Sequence, residues 1–97
     1  MNQLAVRAQV LERDILRYTP AGVPIVSAVL QHQSQQTEAG VARQTEFEIT
    51  AVAAGEIAGR FGKVELGVAY DFTGFLAKKN RNSKSLVFHI IDFRAVD

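Results

Sequence analysis

The chain has 97 residues without a single cysteine, and its formal net charge is +1, with 47% hydrophobic and 22% charged residues. This length fits one small domain with one core and excludes a separate catalytic domain. The composition excludes a wholly disordered chain, a disulfide scaffold and a generally basic nucleic-acid coat. No apolar run reaches membrane-spanning length and no signal peptide is recognisable, so we expect a cytoplasmic protein without a membrane segment.

The predicted elements begin with a strand over roughly residues 3–12. Its apolar residues recur at every second position, as Leu4, Val6, Ala8 and Val10. Residues 18–24 contain two prolines and Gly22, which is turn chemistry. A branched apolar run then predicts a second strand over residues 25–33, which forms a hairpin with the first. The Gln-rich residues 34–43 are too polar to be buried, so we expect a long, mobile connection.

A third strand is predicted from residue 44 to residue 51, because Phe47 and Ile49 alternate there with Glu46 and Glu48. A short helix is expected within Ala51–Arg60, although its glycines weaken it. Val64–Leu76 predicts a fourth strand, in which Gly67 and Gly74 mark bends or bulges. Leu86–Val96 is rich in Phe, Ile and Val and predicts the fifth strand.

Positive charge is concentrated between the last two predicted strands. Residues 1–71 carry six basic and eight acidic side chains, whereas residues 72–97 carry five basic and two acidic ones. The segment Ala77–Ser85, which reads AKKNRNSKS, holds four of these cations: Lys78, Lys79, Arg81 and Lys84. A loop held by strands on both sides projects such charges together toward a polyanion. Nucleic acid is therefore the first partner that we expect, although many charged loops only keep a protein soluble.

Five strands in this order, with a short helix between the third and the fourth, are typical of an all-β, five-stranded Greek-key barrel called the OB-fold. We expect residues 1–97 to form a single OB-fold domain. In this fold, single-stranded nucleic acid lies in a groove flanked by the loop between strands one and two and the loop between strands four and five. The basic segment is the second of these loops, so its charge agrees with its position.

Three segments resemble a known family: Gly22–Pro24, Val29–Ser34 and Glu38–Gln44. Together with the ordered series from Leu4 to the basic segment, they make the chain similar to primosomal replication protein N, the PriB family, which is related to bacterial single-strand-binding proteins. The resemblance implies a homodimer of barrels that binds single-stranded DNA and has no catalytic activity. It also implies cooperation with a restart helicase and other primosome proteins at stalled replication forks.

The resemblance also implies a set of DNA contacts. The principal contacts would be Lys78, Lys79, Arg81 and Lys84, supported by Arg17 in the first hairpin and Arg43 before strand three. This sequence departs from the family at Val41 and Glu46, where relatives can present aromatic rings to bases. Stacking is worth roughly 1 to 3 kcal/mol per base, and glutamates repel phosphate, so we expect weaker, strongly salt-sensitive binding led by the loop.

Two other functions stay open on the sequence alone. One is a protein-interaction adaptor of the primosome with weak residual DNA binding, which Val41, Glu46 and Glu48 favour. The other is an RNA-binding barrel, which competition between DNA and RNA oligonucleotides would separate.

The sequence gives no sign of an enzyme, a cofactor or a metal site. The histidines, His32 and His89, lie on different predicted strands with no acidic cluster nearby. Gly62-Lys63 lacks the ending of a phosphate-binding loop, and no nucleophile or cofactor fingerprint is present. We expect five aromatic residues to lie in the core or a dimer interface rather than to stack on bases: Tyr70, Phe72, Phe75, Phe88 and Phe93.

Overall fold

The computed structural model contains six strands and one short helix. The strands are β1 (Leu4–Arg13), β2 (Arg17–Tyr18), β3 (Pro24–Glu38), β4 (Val41–Ala54), β5 (Ala69–Lys78) and β6 (Leu86–Ala95), and the helix is α1 (Glu56–Phe61). β2 is a two-residue strand inside the first turn, so the five long strands correspond to the five predicted ones. With six residues, α1 is far too short to cross a bilayer.

The five long strands close into a barrel. β1 pairs antiparallel with both β3 and β5, β3 pairs with β4, and β5 pairs with β6. Closure is completed by a parallel pairing of β4 with β6, in which Ala51 lies opposite Phe88. A closed five-stranded barrel with a helix between its third and fourth long strands is the OB-fold, as predicted.

The core is one cluster built from the inward side chains of the strands and from α1. Its largest fully buried side chains are Phe61, Phe72, Phe88, Leu30, Val10 and Val26. Phe61 of α1 is fully buried, and its ring packs edge-on against Phe72 at 6.1 Å and Phe93 at 5.8 Å between centroids. The period-two pattern of β1 is confirmed, since Ala8 and Val10 are buried.

The predicted mobile connection over residues 34–43 is wrong. β3 and β4 pair continuously from Ile25 and Ala54 to Glu38 and Val41. The two-residue turn between them is Ala39-Gly40, with φ of 53° and 77°, and positive φ at both positions is the geometry that tight hairpin turns use. Beyond the barrel both faces of this hairpin are exposed to solvent, so its sequence shows no alternation of apolar and polar residues. Backbone hydrogen bonds between the two strands hold the hairpin together there. We call residues 33–46 the arm.

Two further boundaries differ from the predicted ones. Residues 51–54 belong to β4 rather than to the helix, because Ala51 and Ala53 point into the core and Gly55, with φ of 85°, ends the strand. β5 begins at Ala69 rather than at Val64, because residues 65–68 form a turn with φ of 79° at Gly67. The bulge expected at Gly74 is confirmed, since the register between β5 and β6 shifts there.

An exposed ion pair on the outer face links β1 to β5. Nε of Arg7 lies 2.8 Å from Oδ1 of Asp71, and Nη2 donates to Oδ2 at 3.2 Å. The hydrogen bond from Arg7 lowers the pKa of Asp71 below its usual value. The pair therefore stabilises the fold above the unfolded carboxyl pKa of about 3.9, and this contribution is lost as the pH falls through the lower folded pKa.

We expect the melting temperature of the wild type to fall more between pH 5 and pH 3 than that of the Asp71→Asn variant, because only the wild type loses this carboxylate. The effect is small, since the pair is exposed. Circular dichroism melting curves of both proteins across this range measure it. Parallel curves for the two proteins would show that the ion pair adds no stability.

Candidate nucleic-acid interface

The basic segment forms an ordered hairpin loop between β5 and β6. Lys78 pairs with Leu86, and the N–H of Lys79 donates to the carbonyl of Ser85 at 2.9 Å, which extends the ladder by one step. Two hydrogen bonds to Asn80 then shape the tip, one from the N–H of Asn82 to its side chain at 3.0 Å and one from the N–H of Ser83 to its carbonyl at 3.1 Å. We call residues 78–85 the basic loop.

The cations of the basic loop are exposed and make no ion pairs. They are Lys78, Lys79, Arg81 and Lys84. The three ion pairs of the chain lie elsewhere and join Arg7 to Asp71, Arg43 to Glu38 and Arg60 to Asp92. Four cations without carboxylate partners on one shaped hairpin present concentrated charge that suits a row of phosphates.

The two cations named as supporting contacts lie on other elements. Arg43 is part of β4, in the arm, rather than before the third strand. Its Nη1 lies 2.7 Å from Oε1 of Glu38 across the turn, so its charge is already paired. Arg17 lies in β2 opposite Ile25 and makes no ion pair.

The parallel pairing of β4 with β6 fixes where the basic loop lies. Because Ala51 is opposite Phe88, the basic loop lies beside the part of β4 that precedes Ile49. Arg17 pairs with Ile25, which pairs with Ala54 at the other end of β4. The basic loop and Arg17 therefore flank the outer face of the barrel from opposite ends, separated by about 17 Å of strand.

Between these two ends the outer face carries small, uncharged side chains and one aromatic pair. The alternation of the strands places on it Ser27, Val29, Thr50, Val52, Phe75 and His89. Phe75 and His89 stand opposite each other on β5 and β6, with ring centroids 4.8 Å apart and planes 2° from parallel. Phe75 is predicted to lie in the core or a dimer interface, and the strand alternation excludes the core because it places this ring on the outer face.

Phe47 is a second surface ring that the sequence pattern did not reveal. It is 38% exposed, and its ring centroid lies 5.0 Å from that of His32. Phe47 shares the inner side of β4 with Ile49 and Ala51, but the barrel no longer covers that side where the arm begins. The signal available in the sequence was the polar run 43–46 just before Phe47, which marks the point where the strand leaves the core.

Comparisons with known proteins show which family the chain belongs to. A family model described as "another single-strand binding protein family" matches residues 2–92. The chain is 41% identical over 95 residues to the replication restart protein PriB of Nitrosomonas europaea, covering 98% of this chain and 88% of that protein.

Solved structures extend the likeness to the whole fold. A structure of PriB from Ralstonia solanacearum superimposes with a TM-score of 0.90 at 43% identity and covers 100% of this chain and 99% of that one. The single-stranded DNA binding protein of Thermus aquaticus shares the fold alone, with a TM-score of 0.77 at 23% identity over 100% of this chain and 50% of that one. The chain belongs to the PriB family of replication restart proteins, within a wider family of single-strand binding proteins.

Proposed function

We propose that this chain is a non-enzymatic single-stranded DNA-binding component of the replication-restart primosome, which holds DNA through the basic loop and assists a restart helicase. The observation that carries the proposal is the set of four unpaired cations on one ordered hairpin at the edge of an OB-fold barrel. Membership of the PriB family supports the role in replication restart.

The proposed contacts lead from the basic loop along the outer face of the barrel toward Arg17. Lysine and arginine side chains that bind phosphates release the counterions condensed on the DNA, so binding weakens as salt is added. Phosphates are the same for every base, so binding shows little sequence preference. Arg43 contributes less than the loop cations, because Glu38 already neutralises its charge. Glu46 and Glu48 are exposed on β4 beside the basic loop and repel phosphates there, which weakens the binding that the loop cations lead.

The proposal includes a cytoplasmic homodimer, in which residues 1–97 form one domain and the partners are single-stranded DNA, a restart helicase and other primosome proteins. An unpaired strand edge supports a second copy. Residues 4–8 of β1 pair only with β5 and leave their other edge open, and an open edge of this kind is normally covered. No cofactor is needed, because phosphate binding uses only the side chains of the chain.

A protein-interaction adaptor is the second candidate function. The first hairpin favours it, because Ile15 is 86% exposed and Tyr18 is 68% exposed on either side of Arg17. Exposed apolar side chains grouped in one loop are typical of a protein contact. A basic-loop variant that loses DNA binding but still stimulates the helicase would favour the adaptor, whereas parallel loss of both supports the proposed function.

The salt dependence of DNA binding tests the proposed function directly. If each of the four loop cations contacts one phosphate, the slope of log affinity against log salt is about −3. Affinity for a labelled dT oligonucleotide should then fall roughly 50-fold between about 50 and 200 mM salt. Fluorescence anisotropy measures it, with an RNA oligonucleotide of equivalent sequence as competitor. Absence of binding by the folded protein at low salt, or a flat salt response, would contradict phosphate-led binding.

A further inference from the structure

We infer that the Phe75–His89 pair is a nucleobase-binding platform, a site where a base of single-stranded DNA stacks beside the basic loop. The inference rests on the proposed function and adds base contacts to its phosphate contacts. It assigns a role to the outer face of β5 and β6, where the sequence predicted none.

Phe75 and His89 form a stacked pair of rings on the outer face. The rings of Phe75 and His89 are parallel within 2° at a centroid distance of 4.8 Å, and both side chains are half-buried. Phe75 covers one face of the imidazole. The other face points toward β4, where the paired residue is Val52. His89 is only half-buried, so part of its ring is accessible to solvent beside Val52.

The two histidines differ in the hydrogen bonding of their rings. In His32, Nδ1 lies 2.6 Å from the carbonyl oxygen of Arg7 and Nε2 lies 2.7 Å from Oγ of Ser34, so both ring nitrogens are occupied. The ring nitrogens of His89 make no hydrogen bond to the protein, although the ring is stacked on Phe75. A fixed ring with two free nitrogens offers a donor and an acceptor to the edge or the sugar of a bound nucleotide.

The Phe75–His89 pair is continuous with the basic loop along β5. Phe75, Ala77 and Lys79 lie on the same face of β5 and its extension, because alternate residues of a strand share a face. The distance along the strand from Phe75 to Lys79 is about 13 Å. The platform therefore lies between the loop cations and Arg17, on the uncharged part of the outer face. Phosphates held by the cations at the two ends leave the bases between them free to stack.

Two groups of carboxylates border this face and determine which part of a nucleotide can bind to it. Glu12 and Asp14 line a shallow cleft together with Ser27, Val29 and Thr50, and Glu48 is exposed on β4 on the side of the arm. These carboxylates repel phosphates but do not repel a neutral base. The occupant that fits the platform is thus a base whose phosphates lie toward the basic loop, and aromatic stacking provides the contact.

Binding to two probes that differ only in their bases tests this inference. The probes are a labelled dT oligonucleotide and an abasic oligonucleotide of the same length, which keeps the phosphates and lacks the bases. The variants are His89→Ala and Phe75→Leu, and Leu66→Ala is the matched control because it removes an exposed apolar side chain outside the platform. Circular dichroism melting confirms that each variant is folded.

We expect each platform variant to bind dT roughly 5- to 100-fold more weakly than the wild type, with unchanged binding to the abasic probe. The Leu66→Ala control should match the wild type on both probes. Unchanged dT affinity in both folded platform variants would overturn this inference and leave the proposed function intact. Failure of the wild type to bind either probe would overturn both.

NMR of the wild-type protein provides a second test that does not depend on substitutions. The chain has two histidines, His32 and His89, so its imidazole protons give two sets of NMR signals. We expect the dT oligonucleotide to shift the signals of His89 and the abasic probe to leave them in place. His32 is the internal reference, because the protein occupies both of its nitrogens. Signals of His89 that stay unmoved at saturating dT would overturn the inference.

Discussion

A variant in which Lys78, Lys79, Arg81 and Lys84 are all changed to alanine is expected to bind single-stranded DNA roughly 100-fold more weakly than the wild type at low salt. The four side chains are exposed and make no ion pairs, so their removal leaves no buried charge behind and does not unfold the barrel. The slope of log affinity against log salt should change from about −3 in the wild type to nearly zero in the variant. Anisotropy titrations at several salt concentrations give both quantities.

A variant that conserves charge is the control for this prediction. Changing the three lysines to arginine and Arg81 to lysine keeps four positive charges on the basic loop. Because phosphate contacts without base readout depend mainly on charge, this variant should retain most of the affinity and the steep slope. If the alanine variant keeps the wild-type slope, the phosphates are bound elsewhere on the chain and the assignment of the basic loop is wrong.

Replacing Gly74 by alanine is expected to destabilise the fold by about 3 kcal/mol, which lowers the melting temperature by more than about 10 °C in a domain of this size. A Cβ atom at this position would lie 1.9 Å from the carbonyl oxygen of His89 and 3.0 Å from Cε1 of Phe88. The first atom belongs to the backbone of β6 and the second to a buried ring of the core, so β5 and β6 must separate to make room for a methyl group. Thermal and urea unfolding measure the loss.

Gly59 provides the matched control, because a Cβ atom there would contact nothing within 4 Å. Gly59 lies within α1, where alanine is the better helix former by roughly 1 kcal/mol, so Gly59→Ala should stabilise the protein. Opposite signs for the two substitutions would show that the close approach at the bulge, rather than a general effect of glycine, makes Gly74 necessary. A Gly74→Ala variant as stable as the wild type would contradict the close approach.

The sequence predicted the barrel well where one face of a strand is buried. In β1 the apolar residues recur at every second position, and Ala8 and Val10 of this series are buried. The same reasoning was wrong for the arm, because burial leaves no pattern in a two-stranded hairpin that meets solvent on both faces. It also placed the helix too early, since the alanines at 51, 53 and 54 suit a helix but continue β4 into the core.

The candidate site was predictable in composition but not in arrangement. Four neighbouring cations in one loop can be read from the sequence, and so can the loop's place between two strands. The stacking of Phe75 on His89 depends on the register between β5 and β6 after a bulge, and an error of one residue moves a side chain to the opposite face. The pairing of Arg43 with Glu38 depends on a turn at Ala39-Gly40 that the predicted loop did not contain.

Barrel closure has a consequence for the order in which this protein folds. The β3–β4 hairpin joins residues close in sequence through a two-residue turn, so its pairing requires little loop-closure entropy. The seam between β1 and β5 joins residues such as Arg7 and Asp71, which are 64 positions apart. Contacts of such high sequence separation slow folding, so we expect formation of this seam to limit the rate at which the barrel closes. The parallel pairing of β4 with β6 also joins distant residues, such as Ala51 and Phe88, so the basic loop reaches its final place beside β4 only when this second long-range contact has formed.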